Sequence, residues 1–203
     1  MDLHSITIGY RKIHHWYRTT QRELGHPIEV LDNRYSHLVG QTGYLEVWKK
    51  FGKGNGVPIS SNSIDSINNK FDVVMAHQVI EHIENPIEFM KNIKSLLRPG
   101  GIIHLELPNQ FSLSAQLRKI SPKISHDYGF IQPPMHLRAY CKKTIKYLFD
   151  SLDLQSEMLF ICGNTNRIWG QVREYSLPQQ FYYTFSGKIG MGSLLIGIAQ
   201  LRS

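Results

Sequence analysis

Residues 71–109 place the strongest constraint on the fold, because they read as a strand, a helix and a second strand in direct succession. Phe71 to Met75 is a short, apolar run rich in β-branched residues, which is typical of a strand buried on both faces of a parallel sheet. Ile102 to Leu107 is a second, mostly apolar run of strand length. The stretch therefore predicts a βαβ unit, and such a crossover is almost always right-handed.

The predicted helix begins at Pro86, which suits a first helical turn because its missing N–H would have no partner there. Apolar residues then recur at three- and four-residue spacing: Ile87, Phe89, Met90, Ile93, Leu96 and Leu97. Arg98-Pro99-Gly100-Gly101 follows them. Proline cannot continue a helix and glycine tolerates positive φ, so this segment predicts a helix end and a sharp reversal.

Several short motifs in this region, in this order, resemble a known family. They are Phe71-Asp72, Glu81-His82, Pro86, Pro99-Gly100-Gly101, Leu107-Pro108-Asn109 and Pro134-Met135-His136-Leu137. Together they resemble the second half of a class I S-adenosylmethionine-dependent methyltransferase, of the bacterial small-molecule and glycan group. The resemblance covers residues 71–160 and a last strand near 192–200.

The resemblance implies a fold, a cofactor and a reaction. The implied fold is α/β: a Rossmann-like, doubly wound, mostly parallel sheet with an antiparallel last strand, helices on both faces and a shortened N-terminal half. The implied cofactor is S-adenosylmethionine, whose methyl group would pass to an oxygen or nitrogen of a small molecule or glycan precursor. The alternative is a degenerate, non-catalytic relative that acts as a binding or partner subunit.

A chain of 203 residues suits a single domain. The resemblance implies an N-terminal helical cover (1–26), cofactor-side βα units (27–109), a lid or substrate loop (110–140) and a C-terminal helix with strands (141–203). Two strands and two helices before Phe71 would need roughly 40 residues. Only 28 positions separate Gly43 from Phe71, so we expect the N-terminal half to lack part of the usual set.

The family's first strand ends in an acid and runs into a glycine-rich turn, where the backbone passes close to the cofactor. Residues 28–32 read as a strand ending at Asp32, but no glycine follows until Gly40. The resemblance then assigns the cofactor turn to Gly40, Gln41, Thr42 and Gly43. With Ser36 to Val39 as an alternative first strand, these glycines would be what remains of the loop. Asp65 is a candidate for the acid near the adenine.

The loop after the strand at 71–75 is the best-placed cofactor contact by topology. Ligands of open parallel sheets bind beyond the carboxyl ends of the strands. We therefore predict that Ala76, His77 and Gln78 contact the cofactor. The structural alternative for His77 is a plain loop histidine, and for His82 a histidine bonded within its own helical turn.

His136 is the candidate catalytic residue. A histidine titrates near neutral pH and can accept the proton of an acceptor hydroxyl as it attacks the sulfonium methyl group. Methyl transfer depends mostly on positioning, so a dedicated base is not obligatory. A substrate-binding or structural histidine at this position is the alternative.

Composition narrows the partners and the setting. The net charge of +7 favours anionic partners, but lysine and arginine are spread along the chain, so nucleic-acid binding is not expected. No apolar run reaches the length of a membrane-spanning helix. The two cysteines, Cys141 and Cys162, form neither a disulfide framework nor a metal motif, so we expect no metal. A cytoplasmic protein with a small-molecule substrate is the default expectation.

Overall fold

A computed structural model describes residues 30–32, 64, 67–120, 136–163 and 176–202. Its strands are β1 (Val30–Asp32), β2 (Phe71–His77), β3 (Leu97–Pro108), β4 (Leu154–Cys162) and β5 (Leu194–Leu201). Its helices are α1 (Pro86–Ser95), α2 (Leu113–Ile120), α3 (Lys142–Asp150) and α4 (Leu177–Lys188), with a 3₁₀ turn at Ile80–His82.

The five strands form one open sheet in the order β1-β2-β3-β5-β4. Strands β1, β2 and β3 are parallel, and β5 runs antiparallel to both of its neighbours. The predicted α/β fold with an antiparallel last strand is confirmed. The first strand predicted at residues 28–32 is present as β1, whereas the alternative at Ser36 to Val39 lies outside the described residues.

The predicted helix after Pro86 forms as α1, and its start is fixed by local hydrogen bonds. The Asn85 side chain accepts a hydrogen bond from the backbone N–H of Glu88 at 3.3 Å and donates to the Glu88 carboxylate at 2.9 Å. This exchange satisfies a first-turn donor that the helix itself leaves unpaired.

The prediction of a sharp reversal at Pro99-Gly100-Gly101 is wrong in its position. The chain turns at Leu96, and β3 already pairs with β2 at Leu97. Phe71 pairs with Leu97 and Val73 with Ile102, so residues 98–101 bulge opposite Asp72. Gly100 has φ +73°, and a Cβ on Gly101 would lie 2.9 Å from the Arg98 carbonyl oxygen. The two glycines therefore allow the backbone to form a bulge within β3.

The main core lies on one face of the sheet, beneath α1 and α3. Alternate residues of the central strands point to this face, including Val74, Ile103 and Leu105. Met90 and Ile93 of α1, with Ile145, Leu148 and Phe149 of α3, complete the cluster. The predicted apolar face of α1 is thereby confirmed as core at Met90 and Ile93, whereas Ile87 at its start is 44% exposed.

The other face of the sheet changes character towards the carboxyl ends of the parallel strands. Near the opposite edge it is apolar, with Val73, Met75, Ile102, Ile196 and Ile198 in a second buried cluster. At the carboxyl end it is polar, with His77, His104 and Glu106 all buried. Open parallel sheets bind ligands beyond the carboxyl ends of their strands, so these buried polar side chains mark a candidate site.

Helices α2 and α4 lie beyond the same carboxyl edge. Pro108 at the end of β3 and Cys162 at the end of β4 both pair with Leu194 at the start of β5. α2 follows β3, and α4 occupies the connection from β4 to β5. A Cβ on Gly163 would lie 2.0 Å from the Tyr183 carbonyl oxygen, so glycine permits the close approach of α4 to the end of β4.

None of the described helices has the length and the apolar character needed to cross a membrane.

Candidate functional site

The candidate site forms where β2 ends and the chain turns into the 3₁₀ helix. β2 continues through His77, so Ala76 and His77 belong to the strand and the predicted loop at 76–78 begins only at Gln78. Gln78 has φ +53°, an uncommon conformation for a residue with a side chain. Its backbone N–H donates to the carbonyl oxygen of Glu106 at 2.7 Å, which fixes this turn against β3.

The Gln78 side chain carries a buried amide nitrogen, Nε2, that has no hydrogen-bond partner among the described residues. A buried donor without a partner costs roughly 1–3 kcal/mol. Such a group at the carboxyl edge of a parallel sheet is suited to donate to a ligand.

His77 lies within the buried polar end of the sheet, not in an open loop. Its ring meets the ring of His104 edge to face, with centroids 4.8 Å apart. Glu106 is the β3 partner of His77 in the strand register. The His77 side chain therefore packs against His104 on one face of the sheet. The alternative that His77 is a plain loop histidine is wrong, because the residue belongs to β2.

Glu81, His82 and His136 form a second polar cluster beside this turn. Oε1 of Glu81 lies 3.9 Å from Nε2 of His82, and the His82 and His136 rings have centroids 4.8 Å apart. Glu81 is 2% exposed, and neither of its carboxylate oxygens has a hydrogen-bond partner among the described residues.

Backbone hydrogen bonds hold His136 in this cluster across more than fifty residues of sequence. The N–H groups of Leu137 and Arg138 both donate to the Glu81 carbonyl oxygen, at 2.9 and 3.1 Å. The Arg138 guanidinium donates to the Glu84 carbonyl oxygen at 2.6 Å. The Tyr140 hydroxyl donates to the Ile80 carbonyl oxygen at 3.3 Å. The segment from 136 to 140 is thus fastened to the 3₁₀ turn at several points.

Burial raises the pKa of two side chains at this site, Glu81 and Tyr140. The pKa of Glu81 is raised from 4.5 to about 7, chiefly because burial disfavours the charged carboxylate. Its own backbone N–H opposes the rise, and the nearby charge of Glu106 adds to it. Burial likewise raises the pKa of Tyr140 to about 12. A carboxyl group with a pKa near 7 can accept or release a proton at neutral pH.

The cluster could also attract a metal ion. One ligand atom from each of Glu81, His82 and His136 lies within 4.8 Å of the others. Nitrogen and oxygen ligands about 2.0–2.1 Å from a tetrahedral zinc ion lie only about 3.3 Å apart. The three side chains would therefore have to move closer together to bind such an ion.

The structure describes only part of the site predicted from sequence. His136 lies beside His82, which in turn lies near Glu81. Ala76 and His77 are the last two residues of β2, and Gln78 follows them. Gly40, Gln41, Thr42, Gly43 and Asp65 lie outside the described residues.

Sequence reasoning missed Glu81 and Glu106 as members of the site. Glu81 was visible only as part of a family motif, and its signal was an acid placed just after a buried strand. Glu106 stands inside an otherwise apolar strand, which is the same kind of signal.

A family model described as a methyltransferase domain matches residues 49–158 of the chain. Among curated proteins, the chain resembles a ubiquinone biosynthesis O-methyltransferase of Caulobacter vibrioides, with 36% identity over 78 residues, 34% of this chain and 31% of that protein. The protein of the same name from Actinobacillus pleuropneumoniae is 27% identical over 116 residues, 48% of this chain and 49% of that protein. These matches thus span between about a third and a half of the relatives' own length.

Solved structures share the fold at low sequence identity. The plantazolicin methyltransferase BpumL, solved with a desmethyl analogue and SAH, has a TM-score of 0.55 and 15% identity, covering 97% of this chain and 84% of that one. The [4+2]-cyclase SpnF has a TM-score of 0.55 and 13% identity, covering 87% and 75%. These neighbours support the fold and leave the reaction to be argued from the site.

Proposed function

The chain belongs to the class I S-adenosylmethionine-dependent methyltransferase family, and we propose that it transfers a methyl group to an oxygen atom of a small molecule. The observation that carries the proposal is the placement of His136 beside Glu81 and His82 at the carboxyl edge of the sheet. That edge is where open parallel sheets bind ligands. The curated relatives are O-methyltransferases by name, which favours oxygen over nitrogen.

S-adenosylmethionine, when bound, supplies an electrophilic methyl group on a sulfonium centre. Around it we propose that Gln78 donates a hydrogen bond through its otherwise unpartnered Nε2. Ala76 and His77 would contribute backbone contacts, because the His77 ring is already packed against His104. The Gly40-Gln41-Thr42-Gly43 turn and Asp65 complete the proposed cofactor contacts from the sequence pattern.

We propose His136 as the group that takes the acceptor's proton. With the cofactor bound, its methyl group would pass from the sulfonium sulfur to the acceptor oxygen, and His136 would take the proton that this oxygen loses. Glu81 lies in the same cluster and titrates near neutral pH, so it stabilises the imidazolium when ionised. The remaining contribution is positioning, which is the larger part of catalysis in methyl transfer. A sugar hydroxyl of a glycan precursor is one acceptor of this class.

One observation favours the second candidate, a non-catalytic relative. β1 ends at Asp32, and the residues that follow, Asn33 to Val39, contain no glycine where the family's cofactor turn begins. Side chains at that place obstruct close approach of the backbone to the cofactor.

Calorimetric titration with S-adenosylhomocysteine separates the two candidates. Catalytic competence predicts micromolar binding, about −8 kcal/mol. Gln78→Leu should weaken it by roughly tenfold, the effect of losing one buried hydrogen bond. Gln155→Leu, on an exposed position of β4, is the matched control and should bind as the wild type does. No heat and no thermal stabilisation of the wild type at millimolar ligand would favour the non-catalytic candidate.

A further inference from the structure

Helix α4 carries its large apolar side chains on its outer side. Leu177 and Phe181 are 75% and 73% exposed, and Phe185 and Ile189 are each 46% exposed. Their four-residue spacing aligns them in one stripe along the helix and its C-cap. The Phe181 and Phe185 rings stack with centroids 6.0 Å apart.

The inner side of α4 is built from small or polar groups. Ser186 is fully buried, and a Cβ on Gly187 would lie 3.2 Å from the backbone nitrogen of Gly163. A surface helix of a globular protein normally buries its apolar side and exposes its polar side. α4 does the reverse.

Helix α2 shows the same inversion beside it. Ala115 and Ser112 are buried, whereas Leu117 and Ile120 are 48% and 79% exposed. The N–H of Leu113 donates to the Met191 carbonyl oxygen at 2.8 Å, which joins the start of α2 to the turn after α4. We call the exposed apolar residues of the two helices, with Phe111, the α2–α4 surface.

The two described segments that carry this surface have charged residues of one sign only. Residues 109–120 and 176–202 contain no aspartate or glutamate. Lys119 and Lys188 are exposed at the ends of α2 and α4. A second copy of a chain with net charge +7 would bring like charges together at this surface, with no acid in either segment to pair them. An anionic lipid surface offers both an apolar layer and negative phosphates.

We propose that the α2–α4 surface docks on an anionic lipid bilayer. Phe181 and Phe185 enter the boundary between headgroups and acyl chains, and Lys119 and Lys188 lie near lipid phosphates. The two helices lie along the bilayer and do not cross it, in keeping with their length. The inference is independent of methyl transfer.

The test is co-sedimentation of the full chain with vesicles of phosphatidylglycerol and phosphatidylcholine, compared with vesicles of phosphatidylcholine alone. We expect binding to the anionic vesicles that weakens in 1 M salt. The double variant Phe181→Ser/Phe185→Ser should lower the bound fraction at least about tenfold, because both apolar contacts are lost. Tyr147→Ser, which removes an exposed aromatic from α3, is the matched control and should bind unchanged.

Circular dichroism would establish that each variant remains folded. Failure of the wild type to bind anionic vesicles would overturn the proposal, as would an equal loss of binding in Tyr147→Ser. Light scattering gives a third outcome: a wild-type dimer that the double variant converts to monomer, without vesicle binding, would assign the surface to a second copy instead.

Discussion

Oε1 of Glu81 lies 3.9 Å from Nε2 of His82, although the two residues belong to different environments. The Glu81 side chain is 2% exposed and the His82 side chain 26%. The buried carboxyl group is thereby connected to a partly solvent-accessible imidazole, and through it to His136. The two side chains must approach to about 3 Å before a proton can pass directly between them.

The stability of the fold should depend on pH through Glu81. Its pKa is about 7 in the folded protein and returns to the ordinary value of 4.5 on unfolding, so the folded protein retains a proton that the unfolded chain releases. The contribution to stability is fully present below pH 4.5, falls as the pH rises and is lost above pH 7. The difference of 2.5 units corresponds to about 3 kcal/mol.

Urea unfolding between pH 4.5 and 8 measures this effect. Relative to the wild type, Glu81→Gln should gain stability progressively over that range, because glutamine does not titrate. Glu157→Gln, at an exposed position of β4, is the control substitution of the same kind. Parallel pH dependences of the wild type and Glu81→Gln would show that the buried carboxyl group does not titrate as described.

His136→Gln should lower kcat by about a hundredfold or more if the imidazole takes the acceptor's proton. KM for S-adenosylmethionine should change little, because the proposed cofactor contacts are Gln78 and its neighbours and do not include His136. Steady-state kinetics with a hydroxyl acceptor measures both constants. Lys142→Gln, exposed at the start of α3, is the control. An unchanged kcat in His136→Gln would leave this histidine a structural role.

The ion pair between Arg98 and Asp72 should stabilise the bulge in β3. Nη1 of Arg98 lies 2.9 Å from Oδ2 of Asp72, whose side chain is 1% exposed. Arg98→Met removes the charge that compensates a buried carboxylate and should cost about 2 kcal/mol or more in unfolding free energy. Lys146→Met breaks the exposed pair with Asp150 and should cost less than about 1 kcal/mol. Equal costs, measured by chemical denaturation, would contradict the importance of burial.

Gly163→Ala should loosen the attachment of α4 to β4. The new methyl group would lie 2.0 Å from the backbone oxygen of Tyr183, so the helix must shift, at a cost of about 1–3 kcal/mol. Gly190→Ala provides the comparison, because its Cβ meets nothing within 4 Å. Its φ of +72° alone should cost about 1–2 kcal/mol. Chemical denaturation followed by circular dichroism measures the unfolding free energy of both variants. A Gly163→Ala protein as stable as the wild type would show that α4 does not approach Gly163 this closely.

Patterns of local sequence were sufficient where one physical preference acted alone. Apolar periodicity predicted α1, β-branched composition predicted β2, and the family resemblance implied the final strand. They were insufficient at Pro99-Gly100-Gly101, where residues that usually end a helix instead form a bulge opposite Asp72. They also ended β2 too early, because pairing with β3 extends it to His77 beyond its apolar run.

The sequence by itself determined the fold class and the family, since both depend on ordered short motifs and hydrophobic periodicity. It also singled out His136 by its place in a motif. Only the tertiary structure decided that His136 lies beside Glu81 and His82, because backbone hydrogen bonds from Leu137 and Arg138 to Glu81 join segments far apart in the chain. The pKa of Glu81 is likewise a tertiary property, since burial and the charge of Glu106 set it, and neither is encoded by neighbouring residues.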